Sequence, residues 1–110
     1  MISLNILDCI DIKITTKHNA NMIRWALGEC KNPESYDDFS SYVQRCCLAP
    51  GQYTLTCQNT DHPDGWYGGY IEIQGQRHCD DFLAYKAMRR IIIQGNILAI
   101  WLCLTYFMSF

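Results

Sequence analysis

Seven cysteines constrain the fold of this 110-residue chain more than any other feature. No C-x-x-C spacing occurs, and Cys46 and Cys47 are adjacent, so the pattern does not match a zinc knuckle. Because neighbouring side chains on an extended strand point to opposite faces, these two residues suit two separate bridges. Cys103 falls in an apolar C-terminal run and is expected to be an ordinary buried thiol. The remaining six predict three disulfides, which persist in oxidising compartments; they are Cys9, Cys30, Cys46, Cys47, Cys57 and Cys79.

Four segments alternate between apolar and polar residues with the two-residue period of half-buried strands. In chain order, these segments are 10–15, 23–27, 53–57 and 70–74. Residues 17–21 are typical of a turn and predict a hairpin between the first two segments. Glycine and proline interrupt the chain before the third and fourth segments. The pattern predicts an all-β chain folded as an antiparallel β-sandwich of the jelly-roll or CUB-like type.

A second hairpin, between the third and fourth segments, would favour one pairing of the cysteines. Cys57 would lie at its loop end, whereas Cys79 would lie near the opposite end, close to the two adjacent cysteines. One bridge is therefore expected from Cys79 to either of these two residues, and another from Cys30 to the one that remains. Closure of the loop after Cys30 would stabilise the fold by about 3 kcal/mol. Elimination leaves Cys9 with Cys57.

Two further segments allow more than one interpretation. Residues 31–41 are polar and predict a loop, although 36–43 would also suit a short strand. Residues 83–90 contain helix-forming side chains and would lead into a C-terminal helix, whereas Ile91–Ile93 would suit a closing strand of the sandwich. Periodicity alone does not distinguish a strand from a helix in so short an apolar run.

The apolar C-terminal segment predicts a unit separate from the sandwich. The β-sandwich module is expected over residues 1–96 and a hydrophobic tail over 97–110. A helix over residues 91–110 would be about 30 Å long, which just spans a bilayer. Three basic residues between positions 86 and 90 would then hold the domain on the cytoplasmic side. The cysteines carry more weight and favour an extracellular or cell-surface location.

The N-terminal residues bear on the same question of compartment. They do not combine a basic segment with an uninterrupted apolar run, as a secretory signal would. The chain is therefore expected to be either cytosolic or, as the cysteines favour, part of a longer secreted chain.

The segment 46–82 contains the run Asp64-Gly65-Trp66-Tyr67-Gly68-Gly69-Tyr70. It resembles an extracellular CUB-like β-sandwich module with a C-x-D-S-Y-G-D-G-W-x-G-G-Y loop, which recurs in tandem in secreted and surface proteins of marine invertebrates, protists and bacteria. The resemblance covers about residues 9–82 and implies a non-catalytic, disulfide-bonded extracellular domain of unspecified partner. This chain departs from the pattern inside the loop, which is longer, has Asn59 at the first aspartate position and has Pro63 near the glycine position.

Four carboxylates near glycines suggest one cofactor, calcium. The candidate ligands are Asp61, Asp64, Asp80 and Asp81. Carboxylate oxygens on flexible loops are the ligands that calcium prefers. Their spacing is not that of an EF-hand, and the alternative is a polar turn whose carboxylates are solvated.

Three aromatic residues beside the glycines suggest a patch that contacts a carbohydrate or a protein. These residues are Trp66, Tyr67 and Tyr70. In the alternative interpretation Trp66 fills the end of the sandwich, the glycines allow its close approach, and Tyr67 is the more exposed residue.

Catalysis and nucleic-acid binding are not expected. His78, Cys79 and Asp80 are the residue types of a nucleophilic site, but consecutive residues on a strand face opposite ways. Nine basic against eleven acidic side chains give a net charge of −2, which does not favour nucleic acid. The sequence therefore predicts a non-catalytic extracellular interaction or adhesion module that binds a protein or a carbohydrate. The alternative is a small membrane-anchored protein with residues 91–110 in the bilayer.

Overall fold

The computed structural model describes residues 7–94, which form an antiparallel β-sandwich of two four-stranded sheets. The strands are β1 (Asp8–Thr15), β2 (Ile23–Leu27), β3 (Cys30–Lys31), β4 (Ser41–Leu48), β5 (Gly51–Asn59), β6 (Tyr70–Ile73), β7 (Gln76–His78) and β8 (Lys86–Ile93). The strand order is β4-β1-β6-β7 in sheet 1 and β3-β2-β5-β8 in sheet 2. The predicted all-β class and the antiparallel β-sandwich are confirmed. The predicted tail and Cys103 lie outside the described residues.

The four predicted strands are present, but both predicted hairpins are wrong. β1 and β2 lie in different sheets, because residues 16–22, which include a 3-10 turn at Ala20–Met22, cross from one sheet to the other. β5 and β6 are likewise separated, since β5 pairs with β2 and β6 pairs with β1. Alternation determines which face of a strand is buried, whereas it does not determine the partner strand.

Two long strands complete the sheets, β4 and β8. The alternative strand predicted over 36–43 overlaps β4 only at 41–43. β4 pairs with β1 over eight residues, from Asp8 opposite Leu48 to Thr15 opposite Ser41. β8 pairs with β5 over eight residues, so Ile91–Ile93 belongs to a closing strand. The helical interpretation of residues 83–90 is wrong, because 86–90 belong to β8, whose side chains alternate between the core and solvent.

The membrane span predicted over residues 91–110 overlaps β8 in its first three residues. A span that begins at Ile91 is wrong, since Ile91–Ile93 is hydrogen-bonded to β5. Within residues 7–94, no helix is long and apolar enough to cross a membrane.

One apolar core fills the space between the two sheets. Each long strand contributes alternate residues to it, such as Ile12 and Ile14 of β1, and Leu55 of β5, all 0% exposed. Tyr36, from the segment between β3 and β4, is also buried, and its hydroxyl accepts a hydrogen bond from Trp25 Nε1 at 2.9 Å. Burial raises the pKa of Tyr36, and this effect exceeds the lowering by the Trp25 hydrogen bond.

Three disulfides connect the six predicted cysteines. The pairs are Cys9–Cys47, Cys30–Cys46 and Cys57–Cys79. Cys9 and Cys47 occupy directly opposed positions of β1 and β4 on the exposed face of sheet 1. The other two bridges join the sheets, one from β3 to β4 and one from β5 to the residue that follows β7. Cys46 and Cys47 therefore belong to separate bridges on opposite faces, as their adjacency predicts.

The expected pairing is correct only for Cys30. The expected bridge from Cys79 to one of the two adjacent cysteines is wrong, and so is the bridge from Cys9 to Cys57. Both expectations depend on a hairpin between β5 and β6, which does not form. Because these strands lie in different sheets, Cys57 and Cys79 meet across the core with their Cα atoms 6.4 Å apart.

Candidate functional site

Four connecting segments gather at one end of the sandwich, which we call the loop end. They are residues 16–22, 32–40, 60–69 and 79–85. Backbone hydrogen bonds join them: Phe39 N–H donates to the Lys17 carbonyl at 3.1 Å, and Thr60 N–H donates to the Met22 carbonyl at 2.9 Å. Gly65 N–H donates to the Ala84 carbonyl at 3.1 Å. The loop end is therefore one surface, whose segments are joined by backbone hydrogen bonds.

Trp66 fills the core beneath the loop end and is only 2% exposed. Its indole N–H donates to the Gln58 carbonyl at 3.1 Å, and its ring meets Phe82 edge to face at 6.4 Å. The assignment of Trp66 to a ligand patch is therefore corrected, because an indole packed on all sides is not available to a ligand. The alternative interpretation, in which it fills the sandwich end, describes its position.

The glycines on either side of Trp66 are needed for close backbone contacts. Gly65 has φ +64°, and a Cβ at this position would overlap the Phe82 carbonyl oxygen. A Cβ on Gly69 would lie 2.8 Å from the Thr15 carbonyl oxygen. The Gly-Trp-x-Gly-Gly run thus anchors the indole under two neighbouring segments.

Asn59 organises the loop that leads into this run. Its side chain is 1% exposed, and its amide nitrogen donates to the Gly65 carbonyl at 2.9 Å. Its amide oxygen accepts from the backbone N–H groups of Asp61 and His62 at 3.0 and 2.9 Å. An aspartate, which the resembled module has at this position, would supply the acceptor but not the donor.

The two tyrosines of the predicted patch lie in different surroundings. Tyr67 is half-buried at the loop end with φ 55°, and its hydroxyl lies 3.5 Å from an Asp64 carboxylate oxygen. Tyr70 begins β6 and points from the outer face of sheet 1, where the Arg77 guanidinium carbon lies 4.0 Å from its ring centroid. Tyr67 is therefore the residue of the predicted patch that belongs to the loop end.

Sequence reasoning missed the most exposed apolar residues of the loop end. Phe39 is 64% exposed with φ 51° and packs edge-on against His18, with ring centroids 4.7 Å apart. Leu83 and Tyr85 are 85% and 54% exposed. Bulky residues rarely adopt a positive φ, which costs about 1–3 kcal/mol and is concentrated at functional sites. Single apolar residues in loops leave no periodic pattern, so the sequence gives no signal for them.

The four candidate calcium ligands do not form a metal-binding cluster. Within residues 7–94, no group of three or more His, Cys, Asp or Glu side chains is placed to hold a metal ion. Asp61 accepts a hydrogen bond from Thr60 at 3.0 Å, and Asp81 lies 3.6 Å from Arg89. Asp64 and Asp80 are exposed. The geometry therefore gives the calcium prediction no support.

The run His78-Cys79-Asp80 has no free thiol, because Cys79 is bonded to Cys57. Partial burial and the nearby Arg89 lower the pKa of His78, although Asp80 opposes this shift. The lowered pKa shifts the equilibrium of His78 toward its neutral imidazole.

Comparison with known proteins gives no relative on which to base a function. No family model, no curated protein and no solved structure matches this chain. The resemblance to the CUB-like module stays a prediction.

Proposed function

We propose that this chain is a non-catalytic interaction module of the extracellular space or cell surface, and that it binds a protein partner through the loop end. The observation that carries the proposal is the set of three disulfides in a small β-sandwich. Two of them join the sheets, so the domain depends on an oxidising compartment for its full stability.

The loop end supports the choice of binding surface. Phe39, Leu83 and Tyr85 expose apolar side chains there, and hydrogen bonds between the loops fix the backbone beneath them. Exposed aromatic residues on preordered loops supply much of the energy of protein–protein contacts at little entropic cost. The CUB-like resemblance, which implies a tandem extracellular module, agrees with this role.

Phe39 provides a test that needs no identified partner. Its positive φ and exposure place the side chain where it adds little to folding. Asparagine tolerates this backbone conformation, so F39N is expected to leave the free energy of unfolding unchanged or to raise it. Urea denaturation of the oxidised chain measures this effect. A loss above about 1 kcal/mol would assign Phe39 to folding and contradict its role in binding.

The compartment is tested by counting thiols. The full chain, exported through an oxidising compartment and alkylated without reduction, is expected to carry no label on the six bridged cysteines. A folded product with all six labelled would contradict the extracellular proposal.

A further inference from the structure

Beyond the loop end, a second surface has a charge pattern that points to a ligand. We infer that the outer face of sheet 2 binds an anionic polysaccharide through four basic residues, which we call the basic track. They are Arg24, Lys31, Lys86 and Arg90. This inference requires the folded sandwich but does not depend on the loop end.

The strand alternation places all four residues on one face. Along β8, Ile91 and Ile93 are buried, whereas Lys86 and Arg90 are exposed on the opposite side. Along β2, Arg24 alternates with buried Ile23 and Trp25. Lys31 of β3 lies opposite Ala26 of β2, which shares the face of Arg24. The four cations therefore project from the same outer surface.

The strand register places these cations on both sides of β5. Arg24 lies opposite Gln58, which lies opposite Lys86, so the two cations flank β5 in one row. Two strand spacings separate them, or about 10 Å between Cα atoms. Arg90 lies opposite Thr54 in a later row. One cation thus lies on the β2 side of β5, and two lie on the β8 side.

The floor between the cations is polar and uncharged. It consists of Thr54, Thr56 and Gln58, which are outward residues of β5. Gln58 lies between Arg24 and Lys86, and Thr54 lies beside Arg90. Thr56 lies in the row between them, with Ala26 and Met88 opposite it. A shallow cavity of about 380 Å³ opens over part of this floor, and Arg24, Lys31, Thr56 and Gln58 are among its lining residues. Hydroxyl and amide groups beside cations suit a chain of hydroxyl-bearing sugars with sulfate or carboxylate groups.

The charge of this surface is not neutralised within the sheet. None of the four described strands of sheet 2 contains an aspartate or a glutamate. Sheet 1 is different, because Lys13 lies opposite Glu72, Glu72 lies opposite Arg77, and Arg45 lies opposite Asp11. The chain carries a net charge of −2, so the basic track is a local segregation of charge.

Two hydrogen bonds to backbone carbonyls hold the Arg24 side chain in one position, from which it can contact an anionic group. Its Nη1 donates to the Asn21 and Ile23 carbonyls at 2.9 and 2.7 Å. A guanidinium has five N–H donors, so donors remain for an anionic group. Anchoring reduces the entropy that the side chain loses on binding.

The outward residues of the described strands β2, β5 and β8 favour a polysaccharide over single-stranded nucleic acid. Among the outward residues of β2, β5 and β8, the floor offers no ring on which bases would stack. The exposed apolar residues, Met88 and Ile92, lie on β8 at the edge of the sheet. They leave the polar floor of β5 open to sugar hydroxyls.

The test compares two variants that remove equal charge. The oxidised full chain is titrated with heparin at about 0.15 M salt, where screening beyond about 8 Å is strong. The variant R24Q/K86Q is expected to weaken binding about fivefold or more, whereas K13Q/R45Q, which removes two cations from sheet 1, is expected to change it less than twofold. Thermal melting confirms that both variants fold, and desulfated heparin distinguishes sulfate from carboxylate recognition.

Three results would overturn the inference. One is the failure of the folded chain, with its three bridges intact, to bind heparin; the proposed extracellular role would survive this result. Another is an equal loss in both variants, which would indicate binding by net charge alone. The third is tighter binding to oligo(dT) or to phosphatidylserine vesicles at the same salt, which would assign the track to nucleic acid or to a membrane surface.

Discussion

Cys57 and Cys79 join the two sheets of the sandwich through the core, where they are 0% and 1% exposed. Cys57 lies in β5 of sheet 2, and Cys79 directly follows β7 of sheet 1. Their bond connects strands that share no hydrogen bonds. It therefore holds together two layers that are otherwise joined by apolar packing, the remaining inter-sheet bridge and the loops.

Removal of this bridge is expected to destabilise the domain more than removal of the surface bridge. The variant C57A/C79A should lose about 3–5 kcal/mol, because the cross-link and buried sulfur atoms are both removed. C9A/C47A removes a bridge between exposed residues of strands that stay hydrogen-bonded. The Cys9–Cys47 bridge closes the longer loop, 38 against 22 residues. This difference adds only about 0.5 kcal/mol to the entropic stabilisation by that bridge. Urea denaturation measures both; a larger loss in C9A/C47A would contradict this account.

Asn59 is expected to be essential to the loop beneath the loop end. N59A leaves the Gly65 carbonyl and the N–H groups of Asp61 and His62 without their partner, so the free energy of unfolding should fall by about 3 kcal/mol. T60A, on the neighbouring exposed residue, should change it by less than about 0.5 kcal/mol. Equal effects of the two substitutions in a denaturation series would refute the organising role of Asn59.

Alanine substitutions at two glycines distinguish the energetic cost of a positive φ from that of a steric overlap. Gly65 and Gly75 both have positive φ, at +64° and +78°. A Cβ on Gly75 meets nothing within 4 Å, whereas a Cβ on Gly65 overlaps the Phe82 carbonyl. G75A should cost about 1–2 kcal/mol from its conformation alone. G65A should cost at least about 2 kcal/mol more, because Phe82 must move. Similar melting temperatures for the two variants would contradict the close approach seen here.

His78 is expected to make stability depend on pH in the mildly acidic range. Its pKa is lowered from the ordinary 6.5 by burial and by Arg89, so the folded chain binds fewer protons than the unfolded chain. The stability contributed by neutral His78 is therefore present above about pH 6.5 and is lost as the pH falls through the lowered value. H78Q removes this titration. Denaturation between about pH 7.5 and 5 should show a smaller loss in H78Q; an equal loss would exclude His78 as the cause.

The sequence predicts the layers of this fold better than their connections. Alternation identifies β2 to the residue and the buried faces of β1, β5 and β6, because burial repeats every two residues. It does not predict that β1 pairs with β4 and β6, since those partners are distant in the chain. The wrong hairpins then produced the wrong partner for Cys79. An error in strand pairing is thus carried directly into the disulfide assignment.

The same distinction between local sequence pattern and contacts of distant segments applies to the candidate functional surfaces. The sequence predicts Tyr67 as a surface residue because it belongs to a recognisable run. Trp66 is buried because the same run approaches other backbone closely. Phe39 and Tyr85 come to the loop end through contacts between distant segments. The sequence gives no signal for the basic track, because Arg24, Lys31 and Lys86 are separated along the chain. Only the register of sheet 2 brings them to one outer face.

The disulfide connectivity of the oxidised full chain tests the central claim most directly. Electron-transfer fragmentation of the unreduced protein separates Cys46 from Cys47 and so assigns each partner. The structure predicts Cys9–Cys47, Cys30–Cys46 and Cys57–Cys79. A bond from Cys79 to either of the adjacent cysteines, or six free thiols in a folded chain, would contradict a sandwich whose sheets are joined in this way.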